Sequence, residues 1–136
     1  MVHCMRSPAA LFSLLLLAVA WVSSANAERN LSANEVRILF SDKTVEGEVV
    51  RMKRRFKAYY SADGIFKGIK KQGEWKVTEE GQHCLRYGEK KKWSCGIVMA
   101  AEDGSFKKYL PAATPNERNI HIITFHKFTM GNVDGL

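Results

Sequence analysis

His83-Cys84-Leu85-Arg86-Tyr87 and Trp93-Ser94-Cys95-Gly96-Ile97-Val98, joined by Gly88-Glu89-Lys90-Lys91-Lys92, decide how this chain folds. Each arm alternates apolar and polar residues and the connector carries glycine and charge, which is the pattern of an antiparallel hairpin. With the tip centred on Glu89 and Lys90, Gly88 faces Lys91, Arg86 faces Trp93 and Cys84 faces Cys95. Directly opposed residues have Cβ atoms about 4.5–5.5 Å apart, so register alone brings the two thiols within reach of a bridge. Closing a loop of about a dozen residues stabilises a fold by roughly 3 kcal/mol in the chain-entropy account. The alternative is a reduced, buried pair, and the compartment decides between the two.

The start of the chain speaks to compartment. Arg6 lies in a short leading segment, an apolar run follows from Ala9 to Val22, and Ser23-Ser24-Ala25-Asn26-Ala27 closes it. That is the layout of an export signal, with small residues where a signal peptidase reads. Cleavage is expected after Ala27, leaving residues 28–136 as a single β-rich domain in the periplasm or secreted. The apolar run is shorter than the about 20 residues of a spanning helix, so a membrane-spanning protein is not expected. Removing the leader also removes Cys4, so Cys84 and Cys95 remain as an even pair suited to an oxidising compartment.

The whole chain carries 21 Lys and Arg against 14 Asp and Glu, a net charge of +7, and the leader takes away only Arg6. A basic field outside the cytoplasm favours anionic lipids, glycolipids, polysaccharides or acidic proteins. Nucleic acid is not expected there. The basic residues cluster at Arg51-Met52-Lys53-Arg54-Arg55-Phe56-Lys57, at Lys70-Lys71 and at Lys90-Lys91-Lys92. In a strand-rich chain such runs are usually solvated hairpin tips that discourage edge pairing.

From Leu31 to Phe40 the period is helical. Ser32 and Glu35 have the spacing of a capping box, Leu31 can staple onto Val36, and Val36, Leu39 and Phe40 share a face that must be covered. After Lys43 the period becomes two, through Val45 to Met52, Arg54 to Ser61, Ile65 to Lys70, Glu74 to Thr78, His83 to Tyr87, Trp93 to Ala100, Ser105 to Leu110 and Ile120 to Phe128. Turn chemistry separates these stretches at Ala62-Asp63-Gly64, Lys71-Gln72-Gly73, Glu79-Glu80-Gly81 and Glu102-Asp103-Gly104. About eight short strands with turns at this spacing predict an antiparallel meander, closed into a small lipocalin-like barrel or folded over itself, with one short helix at its end. The alternation nominates Phe56, Ala58, Tyr60, Ile65, Phe66, Ile69, Trp75, Val77, Leu85, Ile97, Met99, Ile122 and Phe125 for the core, with Trp75 as its anchor.

In order, the helix Leu31 to Phe40, Thr44-Val45-Glu46-Gly47, Tyr59-Tyr60-Ser61-Ala62-Asp63-Gly64, Gly68, Gly73-Glu74-Trp75-Lys76-Val77, Cys84-Leu85 and Cys95 resemble a family of small exported bacterial proteins known as domain of unknown function 995. The likeness runs from Leu31 to Val98. It implies a Gram-negative periplasmic or secreted protein with a compact β-rich fold, and it brings no activity or catalytic residues. The Gly73-Glu74-Trp75 entry also looks like that of lipocalin-type barrels, although its Trp lies mid-chain rather than on the first strand.

Catalytic and metal chemistry find little footing. His121 and His126 differ by an odd number and point to opposite faces of one strand, and His83 stands apart. Glu46 and Glu48 share a strand face about 7 Å apart, a spacing that glycosidase carboxylates can use, yet paired acids on a strand usually form its wet face. No nucleophile elbow, zinc helix or phosphate loop is present. No catalytic residue, metal or cofactor is therefore expected.

What remains is a mixture of basic and aromatic residues. Arg54, Arg55, Lys57 and Tyr59 could hold an anionic head group while Phe56, Ala58 and Tyr60 line a core or small cavity, and Lys90, Lys91 and Lys92 offer a second basic tip. The expectation is a monomeric, non-enzymatic binding protein for an anionic or amphipathic envelope ligand. Its alternative is a protein–protein interaction module, such as an envelope enzyme inhibitor or assembly factor.

Overall fold

A computed structural model describes residues 28–136; the expected leader, with Cys4 and the cleavage site, lies outside the described residues. The first residues form a two-residue strand, β1 (Arg29–Asn30), and then a helix, α1 (Ala33–Phe40). Eight strands follow: β2 (Lys43–Val49), β3 (Arg54–Tyr60), β4 (Ile65–Gly68), β5 (Gln72–Val77), β6 (Gln82–Arg86), β7 (Ser94–Ala100), β8 (Phe106–Leu110) and β9 (Ile120–Met130). Each of the eight pairs antiparallel with the next, and β9 returns to pair with β2, so the meander closes into a barrel. Closure removes the open edges that an exposed sheet would present. β1 adds a short pairing at the end of β7, on the edge opposite β8, where Arg29 meets Ala100 and Asn30 meets Met99.

The hairpin of β6 and β7 has the register its sequence dictates: His83 opposes Gly96, Cys84 opposes Cys95 and Leu85 opposes Ser94. Cys84 and Cys95 are bridged, with Cα atoms 4.0 Å apart. Partners across a ladder share a face, and His83 points inward, so the bridge sits on the outer wall. The tip closes with a hydrogen bond from the Lys91 amide to the Gly88 carbonyl.

The helix plugs one end. Ser32 accepts from the Glu35 amide at 3.1 Å and Glu35 accepts from the Ser32 amide at 3.3 Å, which completes the capping box. Val36 and Phe40 are fully buried. The Phe40 ring sits 4.1 Å from His83, 5.0 Å from Tyr60 and 5.0 Å from Phe125, centroid to centroid. Trp75 belongs to the same cluster, and its indole N–H donates to the Ser61 carbonyl at 2.9 Å. Edge-to-face contacts of this kind add about 0.5–1.5 kcal/mol each to the burial itself.

Part of the nominated core faces the other way. Ile69 is 74% exposed in the β4–β5 turn. Ile65 opposes Glu74 while its neighbour Phe66 turns inward, and Ile97 and Met99 lie on the opposite face from buried Gly96 and Val98. Ile122 likewise yields the inward position to Ile123, which packs on the core. Strict alternation admits one parity per strand; in β4 the bulkier aromatic Phe66, opposite Gly73, takes the inward position over Ile65, whereas Ile69 lies beyond the end of the strand.

Candidate functional site

The two ends of the barrel are built differently, because alternate connections of a closed meander fall on opposite rims. The β2–β3, β4–β5, β6–β7 and β8–β9 connections all lie at the end away from α1. They contain the three basic runs, which sequence separates by tens of residues: Arg51 and Lys53 continuing into Arg54 and Arg55, Lys70 with Lys71, and Lys90 to Lys92. The β3–β4, β5–β6 and β7–β8 turns lie at the helix end and hold Asp63, Glu79, Glu80, Glu102 and Asp103, with no lysine or arginine. Glycines Gly64, Gly81 and Gly104 take positive φ in these acidic turns, as hairpin connections of this length require. The molecule is thus basic at its open mouth and acidic at its plugged end.

A cavity of about 590 Å³ opens at the mouth. Its inner wall is apolar, from Phe56, Ala58, Tyr60, Phe66, Leu85 and Ile123, and its rim carries Arg54, Arg55, Lys70, Lys71, Met52, Ile69 and Tyr87. The floor follows from the plug, since Tyr60 and Phe66 meet edge to face with centroids 5.0 Å apart and Tyr60 contacts Phe40. Small residues make the room: Ala58 opposes Gly68 across β3 and β4. Pockets of about 300–1,000 Å³ suit small ligands, with apolar walls for body and a few polar groups for orientation.

The basic and aromatic residues picked out by sequence divide accordingly. Arg54 keeps the inward parity of Phe56 and Ala58 and reaches the rim, whereas Arg55, Lys57 and Tyr59 have the outward parity. Lys57 is engaged by Asp134 at 3.0 Å and Glu46 at 3.6 Å, which hold its ammonium above the usual lysine range. The Tyr59 hydroxyl donates to Asp42 at 2.5 Å, and that bond raises its pKa. Lys57 thus reaches the cavity lining beside Arg54, Lys70 and Lys71 with its ammonium already engaged by two carboxylates, while Tyr59 does not line it. Lys90, Lys91 and Lys92 stand exposed at the same end without lining the cavity. Glu46 is shared between Lys57 and Lys127.

Beyond the sequence-nominated set, the rim gains Met52, Ile69, Lys70, Lys71 and Tyr87. A signal for them was in the chain: basic and acidic turns alternate along the meander, and alternation along a meander means segregation to opposite ends.

Below the cavity lies a buried polar pair. Lys108 on β8 and His83 on β6 both point into the barrel, 2% and 0% exposed, and Lys108 Nζ is 3.1 Å from His83 Nδ1. Gly96 makes this contact sterically feasible, since a Cβ there would come within 2.8 Å of the Lys108 chain and 2.7 Å of the Tyr109 carbonyl. Burial lowers the Lys108 ammonium to about 7. Burial first, and Lys108 second, push the His83 imidazole well below its ordinary value. A neutral amine donating to Nδ1 leaves the imidazole proton on Nε2, which has no hydrogen-bond partner. The other histidines play different parts: His121 packs 5.2 Å from the Tyr109 ring and bonds Thr124, while His126 is exposed.

On the outer wall, Trp93 is flanked by Lys76 Nζ at 4.3 Å and the Arg86 guanidinium at 4.5 Å, and Arg86 pairs with Glu74 at 2.5 Å. This cluster shares the face of the disulfide. Among the described residues no group of three or more His, Cys, Asp and Glu could hold a metal, and no helix is long and apolar enough to cross a membrane. No family model, curated protein or solved structure matches the chain.

Proposed function

We propose that this protein is an exported, non-enzymatic binding protein for a single-chain anionic amphiphile, whose tail enters the mouth cavity and whose head group meets the rim. The observation that carries the reading is the coincidence of an apolar cavity of about 590 Å³ with Arg54, Lys70 and Lys71 at its opening. An apolar wall gains by covering an alkyl chain, at about 25 cal/mol per Å² removed from water. A charged head group at the rim gains from cations that stay partly solvated and need no burial. An acidic protein partner would use the same cations but would leave the apolar wall unexplained. Export accords with the Cys84–Cys95 bridge, which suits an oxidising compartment, and with the family resemblance.

The test is calorimetric titration with dodecyl phosphate and with dodecanol as the uncharged counterpart. Dodecyl phosphate is expected to bind one-to-one and dodecanol far more weakly, with Ala58→Leu, which narrows the cavity, weakening both at unchanged far-UV circular dichroism. Absence of heat with dodecyl phosphate, together with an empty cavity in native mass spectrometry of protein from its own envelope, would end the proposal.

A further inference from the structure

We propose that the open mouth of the barrel is a docking face for an anionic lipid bilayer. This goes beyond amphiphile binding and does not rest on it, since it concerns the tips of the connections rather than the cavity between them. Met52 is 62% exposed in the β2–β3 connection, Ile69 is 74% exposed in the β4–β5 turn, and Tyr87 is 47% exposed where β6 ends. All three stand on one rim.

Each apolar tip is flanked by cations: Met52 by Arg51 and Lys53, Ile69 by Lys70 and Lys71, and Tyr87 by Lys71, whose Nζ lies 5.2 Å from the ring centroid. Single exposed apolar residues are ordinary on a protein surface. Three of them at alternate turns of one rim, each beside a cation, form the side-chain arrangement of an interfacial anchor, where apolar groups enter the acyl boundary and cations stay with the phosphates.

Charge complementarity fixes the partner's sign and the protein's orientation. The acidic turns of Asp63, Glu79, Glu80, Glu102 and Asp103 all lie at the opposite end, so an anionic surface attracts the mouth and repels the plug. Docked in this pose, the cavity opens directly onto lipid.

Flotation of the purified protein with vesicles tests the pose. Vesicles of phosphatidylcholine and phosphatidylglycerol in equal parts are expected to carry the protein, and vesicles of phosphatidylcholine alone are not. Lys70→Ala with Lys71→Ala should lower partition about 25-fold, at about fivefold per cation. Ile69→Ser and Met52→Ser, at exposed positions and checked by thermal melting, should each weaken it further, while Ile38→Ser at the plugged end changes nothing. Equal binding to neutral vesicles would overturn the proposal, as would indifference to Ile69→Ser and Met52→Ser. If polyglutamate abolishes binding and those two substitutions do not weaken it, the mouth recognises acidic protein instead. Ala58→Leu is expected to dock unchanged, which separates failure of this face from failure of the cavity.

Discussion

The helix-plugged end and the open mouth of this barrel use the same strands for opposite purposes. At the plug, α1 drives Phe40 among Tyr60, His83, Phe125 and Trp75, and a complete capping box fastens the helix. At the mouth, the strands run out around an open cavity, and the connections leave Met52, Ile69 and Tyr87 in water beside cations. The difference divides the molecule: the aromatic cluster around Phe40 and the capped helix close one end, while an open cavity flanked by cations occupies the other.

The sharpest way to break that division is Phe40→Ala. Deleting a fully buried phenyl ring leaves a cavity as well as losing transfer free energy, at about 3–5 kcal/mol. Urea unfolding should register that loss, and a change below about 1 kcal/mol would make α1 a dispensable lid. The bridge ranks next. Cys84→Ser is expected to lower stability by roughly 3 kcal/mol in the chain-entropy account, and the native protein should show no titratable Cys84 or Cys95 thiol until it is reduced.

Lys108 gives the division a pH signature. Its folded value is about 7 against an ordinary 10.5, so between those values the unfolded chain holds a proton that the folded one has released. The unfolded state then binds more protons, and stability rises with pH across that window, by about 1.4 kcal/mol per unit for one such group. Below pH 7 this contribution is flat. His83, depressed in the same direction, continues the loss as pH falls through the ordinary histidine value and below. Raised tyrosines at Tyr60 and Tyr109 oppose the trend only above their ordinary value of 10.0. Lys108→Met should therefore flatten the rise in stability between about pH 7 and 10, measured by denaturant midpoints across pH. A slope that survives the substitution would assign it to another group.

Smaller still is Ser32→Ala, which removes the side-chain acceptor for the Glu35 amide. Loss of a helix N-cap amounts to about 1 kcal/mol, so the plug should loosen without the barrel coming apart.

How much of this could be read from sequence depended on whether local pattern or global closure held the information. The hairpin register, the capping box and the strand count are local, and Cys84 meets Cys95 as alternation and the tip dictate. Closure into a barrel needed β9 to find β2 across most of the chain, and alternation alone left a folded-over sheet open as an alternative. Burial of Lys108 was invisible for a related reason. A lysine in Phe106-Lys107-Lys108-Tyr109-Leu110 reads as solvent-facing, and only the empty place left by Gly96 on the neighbouring strand gives its chain somewhere to go. The basic runs were legible as runs but not as neighbours at one end of the barrel, since their convergence is a property of which rim each turn occupies. The anionic partners of Lys57 and Tyr59, Asp134 and Asp42, were not legible, because the fold brings them from other parts of the chain.

The smallest expected effect bears most directly on the division between the two ends. Ile69 and Met52 are large apolar residues, and in the plug their kind would contribute several kcal/mol on removal. At the mouth they are 74% and 62% exposed, so they bury little area in the isolated protein and have little to lose. Surface substitutions away from caps, cores and networks stay within about 0.5 kcal/mol, and Ile69→Ser and Met52→Ser should unfold at the parent urea midpoint. The same two substitutions should weaken vesicle docking, so stability and binding would part at a single residue. Were either to destabilise by more than 1 kcal/mol, about twice that surface range, the tip would have a packing role in the isolated protein. Its exposure could then no longer be read as a surface kept apolar for lipid.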